Sequence, residues 1–177
     1  VAGCRQLLVD PAPGAASLSV ALDTGKLVAA DLASAFDKAD RIYVRVERPG
    51  SPPVEVIRDF NPEGDEVRVS ITLNMDAEEE PATITIELRS GNEVLFSSVQ
   101  QVVLVQGGNV PVEFDLTPIP SRVVIAGPEI HDLNAIGATV QLEAGVQFAT
   151  GDPFPFGAIT WSSSDQQVAS VDAFGVV

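Results

Sequence analysis

The stretch I-T-W-S-S-S-D-Q-Q-V-A-S-V-D-A-F-G-V-V, Ile159 to Val177, decides how the chain is read. It carries the only tryptophan, Trp161, at the end of a short apolar run and just before three serines. The polar turn Asp165-Gln166-Gln167 follows, then Val168-Ala169-Ser170-Val171-Asp172, then Gly175 and a valine pair. Apolar runs separated by Asp- and Gly-marked turns predict a strand, a turn, a second strand and the start of a third. A single Trp entering such a pattern is expected to anchor a sandwich core, because its ring fills the gap between two sheets.

Upstream, Val140, Leu142, Ala144, Val146 and Phe148 alternate with Thr139, Gln141, Glu143 and Gln147. That period predicts one long strand packed against Trp161, in a segment that opens with Val123-Val124-Ile125. W-S-S-S-D followed by V-A-S-V-D and G-V-V resembles the signature of bacterial immunoglobulin-like domains, group 2. Gly137, Leu142 and Ala144 fall where that family tends to carry a glycine, a leucine and an alanine. The resemblance spans residues 121–177 and implies an immunoglobulin-like fold. It also implies the settings in which such modules occur, as stalks, spacers and adhesion units of surface proteins, including intimin- and invasin-like adhesins. About five strands can be drawn from Ser121 onward, where an immunoglobulin-type sandwich needs about seven. The second domain is therefore expected to be incomplete, with a loose edge open to strand exchange.

The same two-residue period fills the first half. Leu18, Val20 and Leu22 share a face, as do Ile42, Val44 and Val46. Val67, Val69, Ile71, Leu73 and Met75 form a five-member stripe opposite Glu66, Arg68, Ser70, Thr72 and Asn74. Ile84, Ile86 and Leu88 repeat it, and Val110, Val112, Phe114 and Leu116 close the series. Such alternation predicts antiparallel sheets with one wet face. Between residues 27 and 39 the chain is rich in Ala and Leu, and Leu32 with Phe36 makes an i,i+4 apolar pair, so one short helix is expected there. The predicted fold is all-β, two tandem antiparallel β-sandwich (immunoglobulin-like) domains with at most one short helix. The domains occupy residues 17–116 and 121–177, joined by the stiff linker Thr117-Pro118-Ile119-Pro120.

Charge narrows the function. The 177 residues hold 25 acidic and 10 basic side chains, a net charge of −15, which repels phosphate backbones and sets nucleic acid aside. Hydrophobic residues at 45% suffice for packed cores, and no apolar run approaches a membrane span. One cysteine and one histidine leave no ordinary zinc site, and no cofactor or metal is expected. The chain opens V-A-G-C, which resembles the end of a bacterial lipoprotein signal and implies lipid on the sulfur of Cys4. An ordinary free cysteine is the alternative. Residues 1–16 then read as a lipobox-like start and a tether, D-P-A-P-G-A-A. Arg5, where an Asp signals inner-membrane retention, favours the outer membrane.

Few residues suggest chemistry. Asp76-Ala77-Glu78-Glu79-Glu80 lacks the Gly-punctuated ladder of a calcium loop and reads as a solvated hairpin tip. His131-Asp132 lies near serines, but no G-x-S-x-G elbow accompanies them, so no catalytic residue is assigned. Gly151-Asp152-Pro153-Phe154-Pro155-Phe156-Gly157 is the strongest contact candidate, since two phenylalanines between prolines either fold onto the core or stand out as a sticky patch. Tyr43, on the polar side of its strand, is a weaker candidate for stacking on a sugar. The expected function is a non-catalytic module of the cell envelope, lipid-anchored and serving adhesion, spacing or presentation. Its partners would be a cell-surface protein or glycan, and the membrane through the anchor. The alternative is a carbohydrate-binding accessory module of a larger envelope hydrolase.

Overall fold

The period-two stripes of the first half fold into two sheets whose apolar faces share one core. The computed structural model describes residues 14–22, 32–61, 67–128 and 132–177; Cys4 and His131 lie outside them. Contacts divide the chain between Ile119 and Pro120 into two compact units. In chain order the first unit holds β1 (Ala15–Leu22), α1 (Ala33–Phe36), β2 (Arg41–Arg48), β3 (Ser51–Asp59), β4 (Val67–Asn74), β5 (Glu79–Ser90), β6 (Glu93–Val105), β7 (Asn109–Phe114) and β8 (Thr117–Pro118). One sheet has the order β4-β1-β7 and the other β3-β2-β5-β6-β8.

Register explains why the stripes bury together. Leu18 lies between Ile71 and Val110, and Val20 between Val69 and Val112, so apolar rows run across the first sheet. In the second sheet Ile84 lies opposite Val46, Ile86 opposite Val44, and Leu88 opposite both Ile42 and Phe96. Leu18, Ile42, Val44, Ile84, Ile86, Leu88 and Phe96 are fully buried. At about 1.5–3 kcal/mol per buried aliphatic side chain, these rows are the main stabilising term of the unit. Leu32, Ala35 and Phe36 of the one-turn α1 region are buried too, and Phe36 meets Phe60 and Phe96 edge-on at 5.5 and 6.4 Å. It is the only helix among the described residues.

Three features of this unit differ from the expectation. The ladder of β1 with β7 is parallel, from Ser17 opposite Asn109 to Leu22 opposite Phe114, while the other ladders are antiparallel. Thr117 and Pro118, expected in the linker, pair with Ser97 and Phe96 as a short edge strand. An edge tolerates Pro118 because its missing N–H has no ladder partner to lose. The acidic run is a corner between sheets and not a hairpin tip, since β4 belongs to one sheet and β5 to the other. Glu80 makes that corner. Its Oε1 accepts the N–H groups of Asp76 at 2.7 Å and Ala77 at 3.1 Å, while Oε2 accepts from Arg48 Nη1 at 3.1 Å. Arg48 also donates to the carbonyl of Asn74 at 2.6 Å, tying both sides of the corner to β2.

The second unit is built on β9 (Arg122–Ala126) and β10 (Glu143–Gln147), paired antiparallel with Val123 opposite Val146. The predicted strand 140–148 keeps its alternation: Val140, Leu142, Ala144 and Val146 are half-buried and Phe148 buried, while Thr139, Gln141, Glu143 and Gly145 are exposed. Its ladder is shorter, with isolated bridges Gln141–Val176 and Gln147–Pro153. The strands expected over 159–177 do not form ladders. Side chains there capture the local backbone. Asp165 Oδ1 accepts Gln167 N–H at 2.9 Å, and Asp172 Oδ1 accepts Phe174 and Val176 N–H at 2.8 and 2.9 Å. Asp and Ser offer the backbone such turns in competition with a ladder.

The Glu80 corner has a pH signature. The Asp76 N–H, ahead of the Ala77 N–H and Arg48, holds the Glu80 carboxyl below its ordinary value of 4.5, against a partial opposing effect of burial. A depressed carboxylate contributes stability above that value and loses it as pH falls through the folded pKa. Glu80→Gln is therefore expected to destabilise the first unit most at neutral pH. Denaturant titrations followed by circular dichroism should show the gap to wild type closing on acidification; a gap constant with pH would mean the charge is not what holds the corner.

Candidate functional site

Three aromatic rings run from the core of the second unit to solvent. Phe148, at the end of the β10 stripe, is fully buried. The chain then turns tightly: Gly151 N–H bonds to the Phe148 carbonyl at 3.0 Å, Phe148 N–H to the Asp152 carbonyl at 2.9 Å, and Thr150 Oγ1 to Asp152 Oδ2 at 2.6 Å. Gly151 sits at φ +88°, a conformation glycine takes at little cost. Phe154 N–H bonds back to the Val146 carbonyl at 2.8 Å, which lays the Phe154 ring edge-on against Phe148 at 5.1 Å. Phe156 meets Phe154 at 6.0 Å and is 54% exposed. Of the two predicted contact residues, Phe154 leans on the core and Phe156 faces outward.

Trp161 is half-buried and not the enclosed anchor of a sandwich, because no second ladder among the described residues closes over it. Phe148 takes the interior position instead. The indole lines an open cleft of about 230 Å³ with Leu142, Ser162, Ser164, Ser170 and Val177. Gly175 packs against the indole and the Leu142 carbonyl. A Cβ added there would lie 2.8 Å from the Leu142 carbonyl oxygen and 2.9 Å from the indole, at φ +85°. The cleft offers an aromatic surface beside several hydroxyls, which suits weak binding of a polar ring better than any bond-breaking chemistry.

Tyr43 lies apart from these, in the first unit. It is buried, with the Arg89 guanidinium 4.1 Å from the ring centroid and Arg89 itself bound to Glu87 at 2.6 Å. That ring face is occupied by a cation–π contact. Burial pushes the Tyr43 phenol above its ordinary 10.0, and the Glu55 carboxylate adds to the rise against a smaller lowering by Arg45. Among the described residues no three His, Cys, Asp or Glu side chains gather in a way that could hold a metal ion. No helix among them is long and apolar enough to cross a membrane. Sequence reasoning set the Ser162–Ser164 run beside a core Trp161; the cleft it helps to line becomes visible only once 175–177 lie alongside Leu142.

Two measurements check this geometry. Gly175→Ala is expected to destabilise the second unit by about 1–3 kcal/mol through left-handed strain and the close carbonyl. The single tryptophan lies against Gly175, so its fluorescence should report the loss; an unchanged midpoint would mean the packing around Gly175 gives way. Ultraviolet titration of the single tyrosine should give a midpoint above 10.0, brought down by Glu55→Gln. A midpoint at or below 10.0 would show Tyr43 to be open to water.

Residues 133–177 match the family model of the bacterial Ig-like domain (group 2). That family comprises non-enzymatic immunoglobulin-like modules of bacterial surface proteins. The match covers β10, the aromatic loop and the Trp161 cleft, and leaves β9 and the first unit outside it. No curated protein and no solved structure matches the chain.

Proposed function

We propose that this chain is a non-catalytic module of the bacterial cell envelope, anchored through lipid on Cys4 and serving adhesion, spacing or presentation. The observation that carries the reading is the group 2 immunoglobulin-like match over residues 133–177. The V-A-G-C opening supports the anchor, and the acidic surface supports solubility beyond the membrane. Phe156 with Phe154 behind it supplies a contact point for a partner, since an exposed aromatic backed by a packed one is a low-entropy anchor. A second reading, carbohydrate binding, is favoured by the Trp161 cleft and its serines.

Expression behind a full lipoprotein signal is expected to place the chain in the detergent phase on partitioning, and Cys4→Ser to release it to the aqueous phase. Equal partitioning of both would remove the anchor. A glycan array with the same protein separates the two readings: a spacer is silent on it, whereas a sugar-binding module gives signals that Trp161→Ala abolishes.

A further inference from the structure

Strand β9 presents an edge that nothing among the described residues covers. On β10, the Val146 carbonyl accepts from Phe154 and the Leu142 N–H donates to the Gly175 carbonyl, so even-numbered residues point their backbone groups away from β9. Gly145 and Gln147 therefore face β9, opposite Val124 and Arg122. It follows that Val123 and Ile125 turn their N–H and C=O groups outward, where they have no backbone partner among the described residues. Their side chains are open as well. Val123 lies opposite Val146 and Ile125 opposite Ala144, so both share the face that β10 turns toward Phe148. They are nevertheless 60% and 55% exposed. The apolar face of the second unit runs off its own edge.

We infer that β9 is the two-fold interface of a homodimer, made by antiparallel pairing of two copies of the strand about Val124. In that register Val123 lies opposite Ile125 of the second copy, and the outward groups of one meet the outward groups of the other. Each such pair exchanges both of its hydrogen bonds. The two-fold axis stands perpendicular to the sheet, so Val146, Val123, and Ile125 and Ala144 of the second copy form one apolar row. A chain of net charge −15 resists self-association over most of its surface. Strand β9 is an exception: it contains no acidic residue, and Arg122 is the only Lys or Arg between Pro120 and Val177. Arg122 falls opposite Ala126 in the paired strands, so no like charges meet. The pairing is isologous and closes at two copies.

Sedimentation equilibrium of the whole chain over a concentration series tests this. The weight-average mass is expected to rise from 18.6 kDa toward twice that value. Val124→Lys and Val124→Glu each place like charges across the two-fold and should each give a monomer, while an equimolar mixture should regain the dimer. Val123→Pro deletes an outward N–H that the β10 ladder does not use, and is expected to weaken the dimer with an unchanged circular dichroism spectrum. A mass that stays at the monomer value throughout, a dimer retained by both Val124 variants and by Val123→Pro, or growth beyond two copies would each overturn the inference.

Discussion

The first unit depends on one ladder, the parallel pairing of β1 with β7. It places the first and last long strands of the unit side by side, with Ser19 Oγ donating to Asn109 Oδ1 at 3.0 Å across a separation of 90 residues. Between them the chain leaves that sheet for β2 and β3, returns for β4, leaves again for β5 and β6 and returns for β7, so it turns corners between the sheets instead of meandering within one. The Glu80 corner is one such crossing, and Gln106 N–H bonding to the Glu78 carbonyl brings the return corner beside it. Loop closure over such a span costs entropy before any contact repays it. A unit of this topology is expected to form late and as a whole, its hairpins stable only once β1 is held on both sides.

The second unit is governed by a different balance. Its β10 stripe has the alternation of a sandwich strand, yet the segments after it spend their backbone N–H groups on Ser163, Asp165 and Asp172. Val168 is left 83% exposed by that choice. The apolar interior is correspondingly small, centred on Phe148 and the Phe154 ring, and the cleft beside Trp161 is what remains open between segments that meet at single bridges.

How much of this was legible follows the physics of the period. Stripes such as Ile42-Val44-Val46 and Val69-Ile71-Leu73 could be read directly, because burial of one face imposes the alternation. Strand β6 could not. Leu95 and Phe96 are adjacent and both buried, since the register slips between Leu88 and Arg89 and the bulged strand turns two neighbours inward. Strand β3 was hidden by Pro52 and Pro53, whose missing N–H groups fall in a bulge of this edge strand, between the Val46–Val54 and Arg48–Ser51 pairs. The segment after Ile159 misled in the opposite direction, since its Val, Thr and Trp residues carry strand propensity while its aspartates and serines carry turn chemistry. The contact candidates were visible as residue types, but which phenylalanine faces out is set by the Phe154–Val146 hydrogen bond, a tertiary fact.

The direction of β1 and β7 has a mechanical meaning. Tension applied between the start of β1 and the end of β7 draws two parallel neighbours in opposite senses along their length. Their hydrogen bonds are then loaded in shear and must fail together, whereas an antiparallel hairpin such as β2–β3 pulled from its open end unzips one bond at a time. Among the described residues only the two-residue β8 stands in series with that ladder, and it would peel first. A stalk built this way would yield to pulling as a clamp does, at a force set by the rate of unfolding and not by its equilibrium stability.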